Sequence, residues 1–256
     1  MRLLVSVRSP EEVVDAVAGG AHIIDAKEPS RGSLGPVDPE TAAAIASLVP
    51  PHLALSIALG DPETTTAAAA IAAALAPAPR PGGSFVKLGF AGVPTPDLVE
   101  RLLAAVVALV PGDIGVVAVA YADHALALAA SPSDVTRAAA RAGARGILLD
   151  TWAKEGPPLL DRLSSAQLRD WVDAGRQAGL LTAVAGGLEA HTVPAAMAAG
   201  PDILGVRGAA CDGGREGKVS RTRVAGLRSA IAAHARGAGE SPDVSLLSLG
   251  GHPVSP

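Results

Sequence analysis

A short apolar run, Ile23-Ile24-Asp25-Ala26-Lys27, ends on two charges and opens into the glycine-punctuated stretch Gly32-Ser33-Leu34-Gly35. Read as a strand, it puts Asp25 and Lys27, two residues apart, on one face, opposite Ile24 and Ala26. A carboxylate and an ammonium on one wall suit proton transfer and amine chemistry. A lysine attacks a carbonyl only as the free amine, which in a protein calls for desolvation or neighbouring cations to lower its pKa. Such cations are on offer. The chain has 21 basic residues but only four lysines, Lys27, Lys87, Lys154 and Lys218. The first three follow apolar runs: Lys87 in Val86-Lys87-Leu88-Gly89, and Lys154 just after Leu149-Asp150-Thr151. Arg207 ends a further apolar run and is followed by Gly208-Ala209.

The elements that must position these groups are marked by repeated punctuation. Ser9-Pro10, Asp38-Pro39, Asp61-Pro62, Thr95-Pro96 and Ser131-Pro132 each place a capping residue and a proline ahead of an Ala/Leu/Val-rich segment, the usual start of a helix. Glu12 stands where a capping glutamate would reach back to Ser9. Helices are expected over 10–18, 134–142, 164–178, 192–199 and 220–233. Between them lie short apolar runs at 3–7, 23–27, 53–58, 84–88, 114–120, 146–150, 181–185 and 203–206. Eight nearly unbroken apolar strands alternating with helices predict an α/β fold with a parallel sheet buried on both faces, closed as a single-domain (β/α)8 TIM barrel over residues 1–236. A Gly/Ser/Pro-rich C-terminal tail, 237–256, is expected to lie outside it.

In such a barrel the working face is the carboxyl end of the strands. Asp25, Lys27, Lys87, Asp150, Lys154 and Arg207 all fall at that rim, where cations outnumber carboxylates. A concave positive site suits a phosphorylated small molecule. Gly186 and Gly187 after strand 7, with Arg207, Gly208 and Ala209 after strand 8, stand where barrels bind phosphate through backbone N–H groups. Lys218 is placed to reach the same phosphate or to be solvated. Tyr121 and His124 are secondary candidates for proton donation, Trp152 for a wall of the site, and Cys211 reads as an apolar loop residue. The six histidines show no ligand spacing, so no metal is expected.

The totals exclude other classes. In 256 residues with 49% hydrophobic content and net charge −4, nothing favours nucleic acid or an anionic membrane surface, and a single cysteine excludes a disulfide framework. No apolar run is long enough to span a bilayer. A cytoplasmic protein that forms a homo-oligomer is expected.

Taken together, Ile24-Asp25-Ala26-Lys27 with Gly32-Ser33-Leu34-Gly35, Val86-Lys87-Leu88-Gly89, Ala120-Tyr121-Ala122-Asp123, Leu149-Asp150-Thr151 with Lys154, and Gly205-Val206-Arg207-Gly208-Ala209 resemble the (5-formylfuran-3-yl)methyl phosphate synthases of methanofuran biosynthesis over roughly residues 2–230. That resemblance implies a TIM-barrel lyase that condenses two glyceraldehyde 3-phosphate molecules, losing phosphate and water, with no cofactor. It further implies that Lys27 forms a Schiff base, that Lys87 accepts a proton, and that Asp25, Asp150 and Lys154 assist proton transfers. The Ala/Arg-rich composition suggests a bacterial version serving a methanofuran-like C1 carrier. Lys154 and Arg207 are the expected cations for the departing phosphate. Other readings are a different Schiff-base phosphosugar aldolase and a non-catalytic phosphosugar-binding subunit. A barrel decarboxylase with an Asp-x-Lys-x-x-Asp motif is disfavoured because position 30 is serine.

Overall fold

A computed structural model describes residues 1–62 and 80–237. The segment expected to form a helix after Asp61-Pro62 and the proposed tail, apart from Gly237, lie outside the described residues. Eight parallel strands close a barrel in sequential order: β1 Arg2–Val7, β2 Ile23–Ala26, β3 Ala54–Ala58, β4 Ser84–Leu88, β5 Ile114–Tyr121, β6 Gly146–Asp150, β7 Leu181–Val184 and β8 Ile203–Val206, with β8 pairing back onto β1.

The described helices are α1 Pro10–Ala18, α2 Pro39–Leu48, α3 Pro96–Leu109, α4 Pro132–Arg141, a short α5 Leu159–Arg162, α6 Ser165–Gln177, α7 Val193–Met197 and α8 Arg221–Gly237. The expected starts at Pro10, Pro39 and Pro96 coincide with the observed ones, because proline fixes the helical φ where no N–H is needed. Ser164 and Gln167 form the reciprocal capping box at α6. Glu12 departs from expectation. Ser9 makes no side-chain cap, and the Glu12 carboxylate turns toward the barrel, accepting from the Arg8 N–H and from the Arg207 guanidinium.

Two apolar layers result. The outer one, between strands and helices, contains Val5, Ile24, Leu55, Val86, Leu149, Val172 and Leu204. The inner one, inside the barrel, contains Leu4, Ile23, Ala54, Val119, Leu148, Ala183 and Ile203. The ladder register sets what lies above that inner floor. Ser6 pairs with Asp25, and Asp25 with Ser56, so three polar residues of β1, β2 and β3 form one lateral row facing the barrel axis. After β8, a 3-10 turn over Gly208–Ala210 leads into an antiparallel ribbon, β9 Cys211–Asp212 and β10 Lys218–Val219. Its Gly213–Gly217 turn hangs over the rim. A Cβ at Gly217 would sit 1.8 Å from the Asp212 carbonyl oxygen, so only glycine closes this turn.

Candidate active site

A cavity of about 210 Å³ opens at the carboxyl ends of the strands and descends along the axis. Among its lining residues are Ser6, Lys27, Ser56, Lys87, Asp150 and Lys154. Lys27 lies one residue beyond β2, its backbone N–H bonded to the Val7 carbonyl, and is 6% exposed. Among the described residues no hydrogen-bond acceptor or ion-pair partner engages its Nζ. Burial, then the neighbouring ammonium of Lys154, lower its pKa from 10.5 to about 7; Lys87 and Arg215 add to this and Asp150 opposes it.

Two ion pairs flank this amine. Lys87 Nζ donates to Asp25 Oδ2 at 2.7 Å, and the same oxygen accepts from Ser6 Oγ at 2.8 Å. Lys154 Nζ donates to Asp150 Oδ1 at 2.6 Å, which also accepts the Thr151 N–H at 2.7 Å. Burial alone would raise the Asp150 carboxyl, but Lys154 and Lys27 with the Thr151 N–H hold it down at about 2. Burial also lowers Lys154, against the pull of Asp150. The site therefore holds the Asp150 carboxylate ionised, and leaves one buried amine, Lys27, able to be neutral near pH 7.

The loops carrying these groups are held from behind. Asp123 accepts the Trp152 and Ala153 N–H groups at 2.7 and 2.9 Å and faces Arg162 at 3.5 Å, fixing the turn that carries Lys154. Ser33, in the loop after β2, donates to the Thr151 carbonyl at 2.9 Å, joining the Lys27 and Lys154 loops. Gly186 and Gly187 both have positive φ and line the cavity together with Gly208. A Cβ at Gly187 would meet Pro158 Cβ at 2.9 Å. No acceptor among the described residues takes the backbone N–H of Gly186 or Gly187. The Ala209 methyl packs into the outer apolar layer, away from the cavity.

Arg207 does not serve as expected. Its guanidinium donates from Nε to the Arg215 carbonyl at 3.0 Å, from Nη1 to the Ser6 carbonyl and Glu12, and from Nη2 to Glu12 at 3.0 Å and the Gly217 carbonyl at 2.7 Å. All five N–H donors are engaged, so none is left for a phosphate. Arg207 is instead the buried strut of the ribbon, paired with Glu12 because a buried charge needs a counter-charge. The cation it positions is Arg215, which lines the cavity and straps the ribbon to the loop after β2 through 2.8 Å bonds from Nη2 to the Pro29 and Gly32 carbonyls.

Sequence reasoning missed Arg215, although the Gly213-Gly214-Arg215-Glu216-Gly217 turn was a signal. It also passed over Ser6 and Ser56, polar interruptions at matching places in apolar strand runs. The secondary candidates stand apart from the cavity lining. Tyr121 is buried with its OH on Asp61 Oδ1 at 3.0 Å, and its pKa is driven up by burial and by that carboxylate. His124 sits in the adjoining turn, Trp152 is 40% exposed, and Lys218 is exposed on β10. Cys211 is buried, its thiol pushed up to about 11. Among the described residues no group of three His, Cys, Asp or Glu side chains is arranged to share a metal ion, and no helix is long and apolar enough to cross a membrane.

A closed eight-stranded parallel barrel with a charged, lysine-rich cleft at the carboxyl ends of its strands defines a (β/α)8-barrel protein built in the manner of barrel enzymes. Solved structures agree on the fold. Phosphoribosyl anthranilate isomerase from Thermus thermophilus superposes with a TM-score of 0.58 at 18% identity, covering 91% of this chain and 100% of that one. KGPDC from Streptococcus mutans superposes with a TM-score of 0.60 at 15% identity, covering 91% and 97%. More particularly, the chain belongs to the 4-HFC-P synthase family, whose model matches residues 3–228. It is 37% identical over 238 residues to the (5-formylfuran-3-yl)methyl phosphate synthase of Methanocaldococcus jannaschii, covering 89% of this chain and 98% of that protein. It is 34% identical over 256 residues to a putative (5-formylfuran-3-yl)methyl phosphate synthase of Streptomyces griseus, covering 96% and 100%.

Proposed function

We propose that this chain is a carbon–oxygen lyase that condenses two molecules of glyceraldehyde 3-phosphate to (5-formylfuran-3-yl)methyl phosphate through a Schiff base on Lys27, for a methanofuran-type C1 carrier. The observation that carries this reading is the Lys27 amine: buried, without a partner among the described residues, with a pKa lowered to about 7, between the Lys87–Asp25 and Lys154–Asp150 pairs. An aldolase acting on some other phosphosugar would use the same amine, but family membership favours the furan product.

In this reading Lys27 adds to C1 of the first triose, and loss of water gives an iminium that acidifies the C2 proton. The short Lys87–Asp25 bond gives the Lys87 proton a route to Asp25 Oδ2, leaving an amine that accepts the C2 proton. The C3–O bond then breaks and phosphate departs with its electron pair; it takes a proton from the Lys87 ammonium, which Asp25 reprotonates, so that Asp25 is a carboxylate again. Lys154, Arg215 and the backbone N–H groups of Gly186 and Gly187 line the space where that charge develops. The connectivity of the product fixes the next step. The ring carbon bearing the phosphomethyl group has two carbon neighbours within the ring, so the new C–C bond falls on C2 of the second triose. That triose must react as its ketone isomer, made by moving a proton between C2 and C1, work suited to the same acid–base pair. Its C1 hydroxyl closes onto the C2 carbonyl of the first triose. Loss of the two remaining hydroxyls as water makes the ring aromatic, and hydrolysis of the iminium frees Lys27. Overall, one phosphate and two water molecules leave, and the atoms balance.

The test is incubation with glyceraldehyde 3-phosphate. Furan absorbance and free phosphate should rise together, and borohydride should trap an adduct that maps to Lys27. Arg215→Ala should raise KM for the triose phosphate, whereas an adduct at another lysine, or none, would refute the assignment.

A further inference from the structure

The row facing the barrel axis holds two buried oxygens that no group among the described residues satisfies: Asp25 Oδ1 and Ser56 Oγ. Asp25 is fully buried and Ser56 is 2% exposed. The two residues are register partners on β2 and β3, and Ser56 lines the cavity that also contains Lys27 and Lys87. Every other polar contact in this row is made: Asp25 Oδ2 takes both Ser6 Oγ and Lys87 Nζ. Leaving a buried carboxylate oxygen and a buried hydroxyl without partners is unfavourable; Ser56 is in the cavity lining and Asp25 lies directly behind it, bonded to Ser6 and Lys87 of that lining, so the two oxygens mark where a ligand's polar group belongs.

The chemistry of the pair specifies that group. A carboxylate oxygen only accepts, while a serine hydroxyl both donates and accepts. A ligand hydroxyl meets both, donating to Asp25 Oδ1 and accepting from Ser56 Oγ. Resting on the function proposed above, we propose that Ser56 and Asp25 Oδ1 form a hydroxyl-binding subsite that holds the C2 hydroxyl of the triose attached to Lys27. Glyceraldehyde 3-phosphate has a single free hydroxyl in its aldehyde form, on the carbon next to the one that Lys27 attacks. Asp25 and Lys27, two apart at the end of one strand, face the same side. Holding that hydroxyl also serves the carbon–carbon bond-forming step. After phosphate leaves, the C2=C3 electron pair makes the new bond from C3, the O–H electron pair becomes the C2=O bond, and the proton passes to Asp25 Oδ1. Ser56 keeps the oxygen in line for that transfer.

The test compares two aldehydes that cannot lose phosphate: the phosphonate isostere of glyceraldehyde 3-phosphate, with CH2 in place of the bridging oxygen, and its deoxy counterpart 4-phosphonobutanal. The readout is the concentration giving half-maximal borohydride-trapped adduct on Lys27. Ser56→Ala should raise that concentration about fivefold for the hydroxylated compound, the weight of one hydrogen bond, and leave the deoxy compound unchanged. Ser56→Thr, which keeps the hydroxyl, should restore the wild-type value. Equal shifts with both compounds, or no shift with either, would overturn the proposal. Trapping with the predicted selectivity but no furan from glyceraldehyde 3-phosphate would retain the subsite and refute the synthase reading. Absence of any adduct on the wild-type chain would end both.

Discussion

Replacing Lys154 by methionine should raise the pKa of Lys27, and replacing Asp150 by asparagine should lower it. The Lys27 amine stands at about 7 because burial disfavours its charge and Lys154 repels it, with Asp150 as the opposing attraction. A unit charge removed from ~6 Å in an effective dielectric near 20 is worth ~2–3 kcal/mol, which after screening is a shift of about one to two pH units. Lys154→Met also frees Asp150 from its 2.6 Å partner, leaving an uncompensated carboxylate near Lys27. The two changes act in the same direction and should carry Lys27 to about 8–9. At pH 7.5 the free amine would then fall from about three-quarters of molecules to between about 3% and 25%. The Asp150→Asn shift should be smaller, because Lys154 is itself held protonated by Asp150 and, once released, repels Lys27 less. The assay is the rate of cyanoborohydride trapping of glyceraldehyde 3-phosphate on Lys27 against pH, with the modified peptide quantified by mass spectrometry. Lys154→Met should trap about three- to twenty-five-fold more slowly at pH 7.5 and match the wild type above about pH 10. A deficit that persists at high pH would show that Lys154 acts by some means other than charge. Shifts of the same sign in both variants would refute the electrostatic account altogether.

Between pH 7 and 10.5 the unfolded chain holds the Lys27 proton and the native chain does not, so native stability should rise with pH across that window, by at most ~1.4 kcal/mol per unit. Below pH 7 the full penalty is present, so Lys27→Met should be the more stable protein by a few kcal/mol at pH 7, with the gap in chemical denaturation closing toward pH 10.5. For the Glu12–Arg207 pair, Glu12→Ala should cost ~3–5 kcal/mol by leaving a buried guanidinium unpaired, and Arg207→Met added to it should recover much of that loss. The double variant should still show a raised KM for the triose phosphate, because Arg215 loses the strut that fixes its backbone.

The local pattern of the chain carried most of the architecture. Apolar runs bounded by turns set the strands, and the cap-and-proline pairs set the helix starts, because both obey short-range rules of backbone geometry and burial. Strand alternation alone put Asp25 and Lys27 on one face, and the strand ends put Lys87 and Asp150 on the same rim. Which charge pairs with which was a different matter. Closure of the barrel brings Lys87 of β4 onto Asp25 of β2 and seats Arg207, one residue past β8, against Glu12 of α1, contacts spanning 62 and 195 positions of sequence. No local rule distinguishes Arg207, whose donors are all engaged in the frame, from Arg215, which remains at the cavity; the difference is only where each guanidinium finds partners. Likewise Ser6 and Ser56 are ordinary strand residues in sequence, and become a polar row with Asp25 only through the register of three neighbouring strands. The sequence by itself determined the barrel and which residue types reach its mouth. The tertiary structure decided their charge states and partners, because those depend on burial and on distances across the barrel that only closure creates.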